Sequence, residues 1–271
     1  MGISVASCAA RRVAQVSWSS AGRSTATRSR AHTAGLYEFK NLSSLVAEVD
    51  LVVSCCPPHA ALATAKQVAA CNFSGLYVDA NAVAPITAAS IAKVVKSAGA
   101  NYVDGGVIGP PAVESGTTRL YLSGARAPDV ADVFKGSALE AVSIGTDECA
   151  ASTLKMAYAA WTKGSLAMLI AVAALAKRGG VASELRDEWA RSQPQLHARL
   201  ERDAGTQAHK AWRFAGEMDE IAQTFSDLGL PNDFHHGAST IYSALDSFWS
   251  RTDEIPLEEL IAALLAELAE Q

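Results

Sequence analysis

The sequence lacks the features that would place it in a specialised class. It has no excess of positive charge: 23 Lys and Arg stand against 28 Asp and Glu, a formal net charge of −5. Neither nucleic acid nor an anionic membrane is an expected partner on electrostatic grounds. The five cysteines, at positions 8, 55, 56, 71 and 149, form no CxxC pair and no Cys/His cluster at zinc spacing. Reduced thiols, a cytoplasmic location and no metal site follow as expectations. The most apolar run, 165–176, lies between Lys163 and Lys177. It falls short of the roughly 20 residues of a membrane span and reads as a buried core helix. Arg11 and Arg12 interrupt the first residues before any signal-peptide core can form. There is no internal repeat and no low-complexity linker.

What is present divides near residue 146. Before it, short β-type runs alternate with helical stretches. Strands are predicted at 13–19, 50–56, 75–79, 101–104, 120–123 and 142–144, and helices at 58–71, 85–98 and 128–135. That alternation predicts βαβ units and a parallel sheet covered on both faces, an α/β Rossmann-like domain over 1–146. From 147 to 271 only helices are predicted, an all-α C-terminal domain for substrate binding and dimerisation. Asp147 is a candidate N-cap for a helix of about 45 Å that stops at Gly179-Gly180. Leu257, Leu260, Ile261, Leu264, Leu265 and Leu268 form one stripe of a last helix over 256–270, suited to docking on the helical domain or on a partner subunit. Trp212, Phe214 and Met218 are predicted core, and His235 and His236 are expected at the surface. Adjacent histidines point in different directions on a helix and make no metal pair.

A dinucleotide-binding fold opens with a strand, a GxGxxG turn and a helix whose N-terminus holds the pyrophosphate. Residues 1–12 (MGISVASCAARR) read as that helix, which makes Gly2 the third glycine and leaves the first strand and its two glycines out of the sequence. Cofactor binding by such a chain would be weak. The other reading is an ordinary N-terminal helix. No carboxylate closes the expected strand at 13–19. Ser20, Arg23 and Ser24 stand where an acidic residue would bind the ribose 2′-hydroxyl of NAD, and they suit the 2′-phosphate of NADP.

Five motifs in order, VSWSSAGRS, VVSCCPP, YVDANAVAP, YVDGGVIGPP and STLKMAYAAWTKG, resemble the β-hydroxyacid dehydrogenase and 6-phosphogluconate dehydrogenase superfamily from about residue 12 onward. The likeness is greatest to a branch with its own helical C-terminal domain. The resemblance implies that Pro57 and Pro58 wall the cofactor site and that Asn81 faces the nicotinamide. From the residues alone, Asp79 and Asn81 equally suit capping of the following helix. The stretch from Asp104 to Pro111 is similar to the superfamily's substrate loop, DAPVSGG, with Gly105 and Gly106 letting backbone approach a ligand. Ile108 replaces the serine of that loop and cannot donate its hydrogen bond, which argues against a simple 3-hydroxy acid. Lys155 takes the place of the superfamily's catalytic lysine, an acid/base group. Tyr158 and Thr162 share its helical face where the superfamily has an asparagine. A lysine that merely snorkels from an apolar helix is the plainer alternative. The expected protein is a homodimeric, NADP-dependent oxidoreductase moving hydride to or from a small hydroxy acid, carbonyl or imine. The competing expectation is a degenerate, non-catalytic paralogue that keeps the helical dimer.

Overall fold

In the computed structural model, the residues described are 2–6, 39, 41–251 and 253–269. The chain forms two compact units, Met1–Met156 and Ala157–Gln271. In the first, β1 (Gly2–Ala6) is followed by α1 (Leu42–Val46), β2 (Leu51–Cys55), α2 (Pro58–Ala70), β3 (Leu76–Asp79) and α3 (Pro85–Ser97). Then come β4 (Asn101–Ile108), β5 (Thr118–Ser123), α4 (Ala127–Val133) and β6 (Leu139–Ser143). The strands lie in chain order in one sheet. Pro58 and Pro85 each open a helix, where the missing N–H is one that no helix satisfies internally.

The sheet is mixed, which corrects the expectation of a parallel one. β2, β3, β4 are mutually parallel and β5 is parallel to β6, but β4 and β5 run antiparallel. Residues 109–117 alone connect β4 to β5. A parallel crossover needs a dozen or more residues, so the chain doubles back instead. Gly109 (φ 128°) and Gly116 (φ 81°) supply left-handed backbone within that connection. β4 also runs four residues past its expected end, so Gly105 and Gly106 belong to a strand and not to a loop.

The predicted N-terminal helix is a second correction. Gly2–Ala6 is a strand antiparallel to β2, with Gly2 opposite Cys55 and Ala6 opposite Leu51. Ile3 and Val5 give it a β-type alternation, and it pairs an edge of β2 that would otherwise be open. Gly2 therefore does not stand at a helix N-terminus. The predicted strand at 13–19, with Ser20, Arg23 and Ser24, lies outside the described residues.

Both sheet faces are covered. On one, Val52, Tyr77 and Tyr102 pack with Ala65 of α2 and Ile91 of α3. On the other, Leu51, Val78, Val103 and Leu120 pack with Val130 of α4.

The helix α5 (Ala150–Arg178) is 29 residues long. By length and composition it could cross a membrane, which the apolar run alone did not indicate. In the second unit it is followed by α6 (Ala182–Ser192), α7 (Pro194–Gln207), α8 (Ala211–Asp227), α9 (Asp233–Ser243) and α10 (Leu257–Glu267). Leu260, Ile261 and Leu264 of α10 are buried, as the leucine stripe predicts. Phe214 and Met218 are buried, but Trp212 is 42% exposed. Two residues from Phe214 along a helix, it faces the opposite side. His235 is also a correction: it is buried, with its ring 4.2 Å from that of Phe225 and 5.2 Å from that of Phe234.

Midway along α5, Lys163 makes an ion pair with Glu217 of α8 at 2.6 Å, and their side chains are only 14% and 7% exposed. The ammonium sits 5.1 Å from the centre of the Phe214 ring. The Tyr242 hydroxyl donates to the Lys163 carbonyl at 2.8 Å. Removing one member of a buried pair strands the other, typically at a cost of about 3–5 kcal/mol. Glu217→Ala is expected to lower the unfolding free energy in urea by about 3 kcal/mol or more. A loss below about 1 kcal/mol, the value of a surface pair, would contradict this.

Candidate active site

Across four strands, Ser54, Asp79, Asp104 and Ser123 stand in register. None is more than 1% exposed. Residues paired in register share a face of the sheet, so the row lies on the side covered by α2 and α3. Burying two carboxylates is costly unless each is hydrogen-bonded, and the structure provides those bonds at both ends of the row.

At one end, Asp104 holds the start of α5. Its Oδ2 accepts from the Ser152 amide at 2.7 Å and the Ser123 hydroxyl at 3.2 Å, and its Oδ1 accepts from the Ser152 hydroxyl at 2.5 Å. The Ser123 hydroxyl accepts in turn from the Ala151 amide at 3.0 Å. A helix leaves its first N–H groups unsatisfied, and two of them are met here by β4 and β5. Asp147, the predicted N-cap, instead accepts from the Cys149 amide at 2.9 Å, before the helix begins. One turn beyond Ser152, the Lys155 ammonium donates to the Val107 carbonyl at 2.9 Å. A Cβ on Gly106 would lie 2.8 Å from the Ala151 carbonyl oxygen and 3.0 Å from the Lys155 Cβ. The glycine thus admits the helix to the strand. Gly105 is similarly filled, by the Asp79 carbonyl at 3.0 Å.

At the other end, Asn81 is 2% exposed. Its Oδ1 accepts from the Cys56 amide at 2.6 Å, and its Nδ2 donates to the Ser54 hydroxyl at 3.1 Å and to Asp79 Oδ1. It does not cap α3, whose N-cap position is Ala84. Its bonds tie the segment after β2, with Pro57 and Pro58, to the end of β3. Behind the row, the hydroxyls of Tyr77 and Tyr102 are buried with no partner among the described residues. Desolvation, and then the Asp79 charge, raises both phenol pKa values. Burial likewise raises the Cys56 thiol, and the Cys149 thiol to about 11. Neither sulfur is an activated nucleophile.

The structure thus gathers Lys155, Gly105, Gly106, Pro57, Pro58 and Asn81 in the first unit, at the carboxyl ends of parallel strands. α/β folds bind ligands there. Tyr158 and Thr162 belong to the second unit. Tyr158 is 47% exposed, and the Thr162 hydroxyl donates to the Tyr158 carbonyl at 3.1 Å. Two shallow clefts of about 450 and 420 Å³ lie elsewhere, one beside Asp50 and Gly75 at the amino ends of β2 and β3, the other beside β6. Sequence reasoning missed Ser123, Ser152 and the buried role of Asp104. The available signal was an apolar strand ending in Asp and a helix opening on Ser-Thr.

The fold has known counterparts. A 3-hydroxyisobutyrate dehydrogenase from Salmonella typhimurium aligns with a TM-score of 0.63 at 16% identity, over 89% of each chain. The chain has the hydroxyacid dehydrogenase fold. A conserved hypothetical protein from Sinorhizobium meliloti 1021 shares that fold with a TM-score of 0.61 at 23% identity, over 89% of this chain and 83% of the other. A reductive aminase from Aspergillus terreus, in complex with NADPH and ethyl-5-oxohexanoate, aligns at 0.50 with 17% identity over 89% and 88%. Residues 176–245 match a family model described as a domain of unknown function, DUF1932. In sequence, the chain is 33% identical over 165 residues, 60% of its length, to an uncharacterised 28.5 kDa protein of Methanothermus fervidus. The match spans 62% of that relative.

Burial is the main reason the Asp104 carboxyl titrates above the ordinary carboxylate range, and its bonds from Ser152 and Ser123 offset part of the rise. The folded protein therefore holds this proton more tightly than the unfolded chain does. The group's contribution to stability is fullest below about pH 4 and falls as pH rises through the raised pKa. Asp104→Asn removes that titration. Urea unfolding at pH 4 and pH 8 should show the advantage of wild type over Asp104→Asn shrinking at the higher pH. An unchanged difference would argue that Asp104 titrates alike in both states.

Proposed function

We propose that the protein is an NADP-dependent oxidoreductase that reduces a small carbonyl or imine compound or oxidises the corresponding product, with Lys155 as the acid/base. One observation carries the reading: the Lys155 ammonium is held at the Val107 carbonyl, near the carboxyl end of a strand, the edge at which α/β folds bind ligands. The fold shared with 3-hydroxyisobutyrate dehydrogenase supports the reaction class. NADPH in the reductive aminase complex supports the cofactor.

The described residues fit the nicotinamide half of such a cofactor. Pro57 and Pro58 form a rigid, half-exposed corner at the start of α2, and Asn81 fixes its position through the Cys56 amide. Ser20, Arg23 and Ser24 would meet the 2′-phosphate, and they lie outside the described residues. When bound, the cofactor supplies or accepts the hydride. Lys155 holds a proton at Nζ and passes it to the substrate oxygen or nitrogen as the carbon is reduced, or takes it back in the reverse direction. Ile108 is 5% exposed and offers no hydroxyl. A carbonyl or imine that needs no serine at that place suits the site better than a hydroxy acid. Gly106 lets the start of α5 seat against β4 and Gly105 admits the Asp79 carbonyl, so the two glycines serve the site by placing Lys155.

The test is NADPH oxidation by the protein with a panel of ketones and cyclic imines, and NADP+ reduction with a panel of hydroxy acids. Turnover is expected with NADPH in preference to NADH. Lys155→Ala should lower it by roughly two to four decades without weakening NADPH binding. Undiminished turnover in that variant would remove Lys155 from the reaction.

We further infer a homodimer. Leu154, Trp161, Met168 and Leu175 recur every seven residues along α5, and each is at least 36% exposed. Such a stripe is the pattern of a helix that buries an apolar seam against a partner. Sedimentation should give twice the chain mass, and Trp161→Glu with Met168→Glu should shift it to the monomer. A wild-type monomer at micromolar concentration would refute the dimer.

A further inference from the structure

The geometry points to Asp104 as a positioning residue for Lys155, acting through the first turn of α5; this rests on the reading of Lys155 as the acid/base. Three residues of β4, Asp104, Gly106 and Val107, form a ruler against which the helix is set. Asp104 grips the Ser152 amide and hydroxyl at 2.7 and 2.5 Å. Gly106, on the same face two residues on, leaves room for the Ala151 carbonyl and the Lys155 Cβ. Val107 then accepts the ammonium at 2.9 Å. Ser123 of β5 braces the arrangement, donating to Asp104 and accepting from the Ala151 amide.

A lysine carries four flexible side-chain bonds and loses much rotamer freedom when fixed. Its amine keeps a defined place only where its backbone is fixed as well. In this protein one strand fixes both ends of the side chain. The carboxylate lies at a helix N-terminus, where partial positive charge favours it, and it is 0% exposed, so water does not compete for the grip. If the Asp104 contacts are lost, the first turn is free to fray and the Lys155 stem moves off β4.

The experiment needs no substrate. Lysines of the full-length protein are labelled with acetic anhydride at a series of neutral to alkaline pH values, and each site is read by peptide mass spectrometry. Lys135, 77% exposed, is the internal reference. Asp104→Ala should raise Lys155 labelling roughly tenfold or more, the worth of one hydrogen bond to a charged group. It should also displace the midpoint of the Lys155 curve by about half a unit or more, with Lys135 unchanged. Asp104→Asn, which keeps one acceptor oxygen, should recover part of the wild-type curve. Ser152→Ala, which removes one grip and leaves the amide bond, should move the curve in the same direction by less.

Lys155 curves superposable on wild type in the folded Asp104→Ala and Ser152→Ala variants would overturn the positioning role. Should Asp104→Ala unfold, shown by all its lysines labelling alike, Ser152→Ala and Asp104→Asn decide. The acid/base reading falls by a separate result, full NADPH turnover in Lys155→Ala, which leaves the labelling curves to judge Asp104 by themselves.

Discussion

A carboxylate sealed beneath the N-terminus of a helix is the contact on which the first unit depends. Asp104 is fully buried, and three donors from two elements converge on it. Without them the charge would be stranded in an apolar interior, and the first turn of α5 would have unmet amides. Each solves the other's problem. The close seating of α5 on β4 needs Gly106 bare, and the seating brings Lys155 to the carboxyl edge of the sheet. Fold and site are thus joined at a few atoms, and chemistry at position 155 depends on packing at positions 104 and 106.

The second unit has its own version of this logic. Lys163 and Glu217 bury opposite charges among apolar helices, and Phe214 and Tyr242 enclose them. An ion pair of this kind contributes little net stability compared with hydrophobic packing. It does exclude helix registers that would leave either charge alone. A nearly all-apolar helix needs such a mark, because many rotations about its axis would bury similar area.

Much of this was legible in the sequence. The alternation of short apolar runs and helices and the leucine stripe at the C-terminus follow from local periodicity, and the structure carries both. The errors share a cause. The sheet was expected to be wholly parallel because alternation was weighed and connection length was not; the 109–117 segment is too short for a crossover. The N-terminal segment was expected to be helical because small residues run along it and a strand was expected to follow at the spacing of a dinucleotide-binding unit, yet β2 offers an open edge to GISVA. Asp147 resembled an N-cap by position, while the real capping groups come from strands, at Ser123 and Asp104, 28 and 48 residues earlier in the chain than the amides they meet, beyond the reach of local pattern.

The candidate site was legible in part for the same reason. Lys155, Gly106 and Pro57 stand out because they belong to recognisable motifs. Ser123 and Ser152 do not, since a serine on a strand or at a helix start has many ordinary uses. Their meaning appears only when register lines up Ser54, Asp79, Asp104 and Ser123.

The continuity of α5 has a consequence for how this chain can vary. Ser152 and Lys155 are both held by β4, one through Asp104 and one through the Val107 carbonyl. A residue added between them would turn one contact about 100° around the axis relative to the other, so that no small adjustment of side chains could restore both. That first turn is in effect a fixed length.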